Sequence, residues 1–197
     1  AISSKSIFAV AHRNSTSRSV VNSYVIAIDY ASNFKEPSLL WHFNASMNSN
    51  LTFAGDVLGN PVLSIDEKQL FVGLLDSFTV VSFDTTTGEL LWATDRLLKT
   101  GCTAMHKDLA IFNSKSGDTM DPILYAFTVC GHAFAIDGFT GDIIWSKIII
   151  DGMVSHEIPP LVSQSGLIVN QLHFENNSNV HWQVKKLDLK LGTLLWS

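Results

Sequence analysis

The sequence predicts an all-β chain, a β-propeller of about four repeats of roughly 50 residues. Three observations lead there. One design recurs as "FDTTTGELLWATD" (83–95), "IDGFTGDIIWSK" (136–147) and "LDLKLGTLLWS" (187–197), and more loosely as "IDYASNFKEPSLLWHF" (28–43). Between these segments lie short runs rich in Val, Ile, Phe and Thr, the composition of strands. No stretch carries an amphipathic helix of three turns.

The repeat has internal detail. Trp41, Trp92, Trp145 and Trp196 are spaced by 51, 53 and 51 residues, and each follows a Leu or Ile doublet (39–40, 90–91, 143–144, 194–195). Asp29, Asp84, Asp137 and Asp188 precede them. In the last three copies the Asp-to-Trp distance is 8, and Gly88, Gly141 and Gly192 stand four before the Trp. Such a unit cannot bury its surface alone and has to stack on its neighbours.

The elements follow in order, with repeats spanning roughly 1–43, 44–95, 96–147 and 148–197. Repeat one opens with "SIFAVA" (6–11), matching the second strand of a blade. Repeat two predicts strands at 61–65, 69–75, 78–83 and 88–94. Repeat three predicts them at 109–114, 123–129, 132–136 and 142–146, and repeat four at 159–163, 166–174, 180–187 and 193–197. The Asp ends the third strand and accepts a backbone N–H two residues on. The Gly supplies the positive φ that reverses the chain. In "ELLW", alternation puts Leu90 and Trp92 on one face and Leu91 on the other, so both faces need cover. A ring of small four-stranded sheets gives that cover. Each Trp then fills the space between blades, burying about 200 Å².

The pattern A-x-D-x-x-T-G-x-x-x-W, seen as "SFDTTTGELLW" and "AIDGFTGDIIW", resembles the repeat of pyrroloquinoline-quinone (PQQ)-type propellers. Repeats two and three match closely and four fairly. Repeat one departs, with a four-residue insertion and Pro37 in place of the Gly. The resemblance implies four-stranded blades within a ring of about seven or eight. These residues are therefore expected to form one segment of a larger propeller. The alternative is a self-contained four-bladed ring with one three-stranded blade. The family spans quinone-dependent alcohol dehydrogenases, bacterial outer-membrane assembly lipoproteins and lumenal domains of eukaryotic membrane proteins, so the resemblance fixes a fold and leaves function open.

Composition narrows the rest. A 46% apolar, 16% charged chain is globular, and a net charge of −5 without a Lys/Arg block argues against nucleic-acid binding. No apolar run reaches the roughly 18 residues of a membrane span. Cys102 and Cys130, 28 apart, fit neither a CxxC site nor a zinc cluster; they are read as a suspected disulfide, with two buried free thiols as the alternative. Asn14, Asn44, Asn50 and Asn176 head N-x-Ser/Thr sequons in expected loops and are read as glycosylation sites. The expected location is extracellular or in the secretory-pathway lumen.

No catalytic, cofactor-binding or metal-binding residue is assigned. The seven histidines (12, 42, 106, 132, 156, 173 and 181) form no HExxH motif, and Cys130-Gly-His132 reads better as a strand edge than as a ligand pair. "FDTTTGE" lacks the alternating carboxylates of a calcium loop. Trp182, the one Trp outside the repeat position, alternates with Val184 and is read as core. In quinoprotein dehydrogenases the quinone stacks between a Trp and a disulfide of adjacent cysteines, with calcium held by Glu, Asn and Asp. This chain has no adjacent cysteine pair. The expected function is a non-enzymatic scaffold or protein-interaction module needing no cofactor, with a PQQ/calcium-dependent dehydrogenase as the alternative. The apolar final strand "TLLWS" is expected to pair with further blades of the same protein or with a neighbouring chain.

Overall fold

The computed structural model describes residues 1–3, 5–14, 21–29, 37–44, 59–75, 77–95, 97, 102, 105–116, 119–149, 153–154, 158–175 and 179–197. All regular structure among them is β, in four antiparallel sheets that follow one another along the chain.

Sheet one holds β1 (Ser6–Asn14), β2 (Val21–Asp29) and β3 (Ser38–Asn44) in that order. Sheet two runs β4 (Val62–Leu63), β5 (Gln69–Leu74), β6 (Thr79–Asp84) and β7 (Leu90–Ala93). Sheet three runs β8 (Ala110–Ser116), β9 (Thr119–Phe127), β10 (His132–Asp137) and β11 (Ile143–Ile148). In sheet four, β12 (Met153–Val154) and β13 (Leu161–Ser163) both pair with β14 (Gly166–Glu175), followed by β15 (Asn179–Leu187) and β16 (Leu194–Trp196). One strand was expected at 159–163. Pro159 and Pro160 have no N–H to give to a ladder, and pairing starts after them at Leu161.

The core is made between sheets. Phe8, Val25, Ala27 and Trp41 of sheet one pack on Leu70, Val72, Val81 and Phe83 of sheet two. Phe71 and Val80 of sheet two, with Phe78 of the turn between β5 and β6, pack on Leu124, Ala126, Phe134 and Ile136 of sheet three. Tyr125, Phe127, Ala133, Ala135 and Trp145 of sheet three pack on Leu167, Val169 and Leu187 of sheet four. Strand alternation produces this: successive residues of one strand serve the joint behind and the joint ahead.

One expectation is corrected. The outermost strand of every sheet carries a β-bulge, with register shifts at Ala27/Ile28, Ser82/Phe83, Ala135/Ile136 and Lys186/Leu187. Phe83 faces Leu90 while Ser82 faces Trp92, so Leu91 is the extra residue. The bulge puts Leu90 and Trp92 on opposite faces: Leu90 packs against sheet one's side and Trp92 against sheet three's. Leu91 and its counterparts Leu40, Ile144 and Leu195 are left about half exposed, not covered.

Candidate functional site: the joints between sheets

The repeat residues converge on the joints. In each turn the Asp carboxylate accepts two backbone N–H bonds. Asp84 Oδ1 takes Thr86 and Thr87 N–H, both at 2.8 Å; Asp137 Oδ1 takes Phe139 (2.8 Å) and Thr140 (3.0 Å); Asp188 Oδ1 takes Lys190 (2.9 Å) and Leu191 (2.8 Å). The glycine N–H closes the turn onto the Asp carbonyl, at 2.9, 2.8 and 2.9 Å for Gly88, Gly141 and Gly192. Their φ values of 73°, 80° and 63° lie in the left-handed region expected of them. The Thr87 N–H above all, then that of Thr86, holds the Asp84 carboxyl below its usual range despite some burial.

Each tryptophan reaches the next sheet's turn. A Cβ added at Gly88 would lie 2.5 Å from the Trp41 ring, at Gly141 2.7 Å from Trp92, and at Gly192 2.9 Å from Trp145. Only a residue without a side chain admits the indole. The indole N–H then donates to the carbonyl of the residue after the turn Asp: Trp41 to Thr85 at 2.9 Å, Trp92 to Gly138 at 3.1 Å and Trp145 to Leu189 at 3.0 Å. Three joints share one lock. It satisfies a buried donor and an orphan turn carbonyl in one contact.

Strand registers set a row beneath each Trp. Phe8–Ala27–Trp41, Val62–Phe71–Ser82–Trp92 and Ala110–Tyr125–Ala135–Trp145 lie side by side across their sheets. The small third-strand residue lets the indole lie against the aromatic, and the centroid separation is 5.9 Å in all three pairs. Sequence reasoning passed over Phe8, Phe71 and Tyr125. The signal was present in repeats two and three, where the aromatic stands 21 and 20 residues before the Trp.

The joint between sheets three and four has a second donor. Tyr125 O–H gives a 3.2 Å hydrogen bond to the Leu189 carbonyl that Trp145 already uses. Burial first, and the Asp188 charge second, push the Tyr125 phenol well above the usual tyrosine range. A group with a raised folded pKa contributes stability that is present below its unfolded pKa, about 10, and lost as pH rises beyond it. Tyr125→Phe is therefore expected to cost about 0.5–1.5 kcal/mol at pH 7. That difference should shrink above about pH 10 in urea titrations of the two proteins. A pH-independent difference would show that the phenol ionises as freely folded as unfolded.

The other singled-out residues are dispersed. Cys102 and Cys130 are joined in a disulfide, which removes Cys130 as a metal ligand beside His132. Asn14 and Asn44 end strands β1 and β3, where loops were expected, while Asn50 and Asn176 lie outside the described residues. Trp182, read as core, is 56% exposed, and Val184 is exposed with it. Asp66, in the turn between β4 and β5, is raised by burial, but bonds from the Ser64 hydroxyl (2.6 Å) and the Lys68 N–H (3.2 Å), with the nearby Lys68 ammonium, leave its carboxyl below the usual range. His106 is fully buried and accepts the Asp108 N–H at Nδ1 (3.0 Å). Asp108 in turn accepts from Asn60 at 2.5 Å, where the segments entering sheets two and three bridge in parallel. Among the described residues no group of three His, Cys, Asp or Glu side chains is placed to hold a metal ion, and no helix is long and apolar enough to cross a membrane.

Comparison with known proteins agrees with this geometry. The PQQ-type family model described as outer membrane protein assembly factor BamB matches residues 76–197. BamB from Moraxella catarrhalis is similar in structure, with a TM-score of 0.54 at 17% identity over 97% of this chain and 49% of that one. The quinohemoprotein alcohol dehydrogenase of Comamonas testosteroni gives 0.50 at 20% identity, over 70% of this chain and 20% of that one. The quinohemoprotein alcohol dehydrogenase ADHIIG of Pseudomonas putida HK5 gives 0.56 at 11%, over 92% and 36%. No curated protein sequence matches. The chain spans about half the length of BamB and a smaller share of the dehydrogenases, and likeness at these identities concerns the fold. With a family model covering more than half its residues and the same locked turn at three joints, the chain belongs to the PQQ-type, BamB-like β-propeller repeat family.

Proposed function

We propose that the chain is a non-enzymatic propeller scaffold, a protein-interaction module of a secreted or lumenal glycoprotein. One observation carries the reading: the repeat's Asp, Gly and Trp groups are engaged in joining sheets. The three turn aspartates are held by backbone N–H bonds, and three of the four repeat indoles are hydrogen-bonded to the next sheet. The Cys102–Cys130 disulfide supports an oxidising compartment. The sequons at Asn14, Asn44, Asn50 and Asn176 would carry the glycans there.

These residues do not fit the stacked quinone of the family's dehydrogenases. The disulfide links cysteines 28 positions apart, not the adjacent pair a quinone stacks on. Trp41, Trp92 and Trp145 have their faces and N–H groups inside the joints, and Trp182 stands exposed on an outer sheet face.

The outward face of sheet four supports the partner reading. Trp196 is 48% exposed, whereas Trp41 and Trp145 are 9% exposed beneath the next sheet, and a further blade of the same protein or a neighbouring chain would cover it. Native mass spectrometry of the unreduced protein from its source tests the proposal. The expected spectrum exceeds the polypeptide mass, falls in steps on enzymatic deglycosylation, and retains a protein partner. A bare chain would overturn the glycoprotein reading, and a quinone-sized adduct with calcium would replace the scaffold with the dehydrogenase.

A further inference from the structure

Each sheet has two ends. At one end the turn after the repeat Asp joins the last two strands, and Asp29, Asp84 and Asp137 there pair with Ser6, Gln69 and Ile123. At the other end stand the hairpins between β1 and β2, β5 and β6, β9 and β10, and β14 and β15. Each Trp meets the next sheet's turn in the same way. The turns therefore share one side of the molecule, the turn face, and the hairpins share the opposite one.

The sequons stand with the hairpins. Asn14 ends β1 opposite Val21, and Asn44 ends β3 opposite Tyr24, both at the hairpin end of sheet one. Asn176 lies outside the described residues, but Glu175 and Asn179 on either side of it pair at the hairpin end of sheet four. Asn50 also lies outside them. The chain around it leaves from Asn44 and is next described at Gly59, whose N–H meets the Gly73 carbonyl at the hairpin end of β5. No sequon falls in a turn of the other face. Glycans are bulky and shield the surface beneath them, so the turn face is the one they leave open.

That face is also one-sided in charge. Turns 64–68, 84–89, 137–142 and 188–193 carry Asp66, Glu67, Asp84, Glu89, Asp137, Asp142 and Asp188 against Lys68 and Lys190. Ile65, Phe139 and Leu191 stand in these turns, 56%, 52% and 62% exposed. Two clefts open on the same side. One of about 570 Å³, between sheets one and two, is lined by Asp66 and Thr86; the other, of about 260 Å³ between sheets three and four, by Ser165 and Lys190. Such a surface draws in a cationic partner from a distance and offers it apolar contacts on arrival.

We propose that the turn face is the docking face of this module and that its occupant is a basic segment of a partner protein, rich in Lys or Arg with apolar residues interspersed. The proposal deepens the protein-interaction reading and rests on it for the biological role. The carboxylates select the partner, and the exposed Ile, Phe and Leu side chains supply contact that salt does not screen.

A labelled short peptide of alternating Lys and Leu, with a Glu–Leu peptide as its counterpart, probes the full chain made in a secretory eukaryotic host. Fluorescence anisotropy is expected to show saturable binding of the Lys–Leu peptide that weakens with salt, no binding of the Glu–Leu peptide, and the same affinity after enzymatic deglycosylation. Hydroxyl-radical footprinting should show the bound peptide protecting Phe139 and not Tyr24. Glu89→Lys together with Asp142→Lys should weaken binding about tenfold. Leu191→Asn, which with Gly192 and Thr193 completes a sequon on the turn face, should abolish binding when glycosylated and regain it on deglycosylation. Absence of saturable binding, equal binding of the Glu–Leu peptide, or protection of Tyr24 in place of Phe139 would each overturn the proposal. So would an affinity that rises when the natural glycans are removed, since they would then cover the docking face. The footprint is read on the unaltered protein, so a variant that fails to fold leaves the proposal open to refutation. Peptide binding needs no glycan on Asn14, Asn44, Asn50 or Asn176, so the docking face and the glycoprotein reading fail separately.

Discussion

Trp145→Ala is expected to destabilise the protein by about 3–5 kcal/mol, whereas Trp196→Ala, the same position of the same repeat, should cost less than about 1 kcal/mol. The two residues are alike in sequence and opposite in surroundings. Trp145 is 9% exposed, with its ring beside Tyr125 and over Gly192 and its N–H on the Leu189 carbonyl. Its removal empties a space walled by two sheets. A backbone turn with a left-handed glycine cannot readily collapse into that space, so the cavity contribution adds to the lost transfer energy. The Leu189 carbonyl keeps only the Tyr125 hydroxyl. Trp196 is 48% exposed, and its truncation removes little that water does not already touch. Urea unfolding followed by circular dichroism measures the contrast. At about 1–3 kcal/mol per molar urea, the Trp145 variant's midpoint should fall by at least about 1 M, with the other nearly unmoved. Equal losses would mean that the lock contributes nothing beyond burial of an indole.

That contrast also marks how far the sequence could be read. The repeat declared four sheets because Asp, Gly and Trp each act locally: a turn needs its acceptor and its positive φ wherever it occurs, and those demands show in spacing alone. The strands of repeats two and three were legible for the same reason. Faces were harder. Period-2 alternation put Leu90 with Trp92, but one inserted residue at the bulge reverses every face beyond it, and a bulge between two leucines leaves no compositional trace. Trp182 was misread because alternation with Val184 reports a shared face and says nothing of what covers it. The acceptors at Thr85, Gly138 and Leu189 were beyond reach because they are main-chain carbonyls, identical in every residue. The cysteine pairing was undecided at the same level, since a separation of 28 fits a bridge or two thiols until the backbone brings their Cα atoms to 5.7 Å.

The replacement of both Cys102 and Cys130 by serine is expected to lower stability by about 3–4 kcal/mol, the chain-entropy value for a closed loop of this size. The bridge sits where sheet three is entered. Cys130 lies in the turn from β9 to β10, fixed by the Thr128 N–H to His132 carbonyl bond at 2.9 Å and the Thr128 hydroxyl on the His132 N–H at 3.1 Å. Cys102 precedes the segment that hydrogen-bonds β9 through the His106 N–H and the Phe127 carbonyl at 2.8 Å. That segment also carries Asp108, which accepts from Asn60 at the entry to sheet two. Losing the bridge should therefore loosen a hub shared by two sheets and not merely a surface turn. Hydrogen exchange should show it first at the amides of residues 105–108, and the urea midpoint should fall as far with reductant in the unaltered protein as in the double variant without it. A midpoint indifferent to reductant in a fully reduced sample would show that packing of residues 105–108, and not the covalent link, holds sheets two and three together at that end.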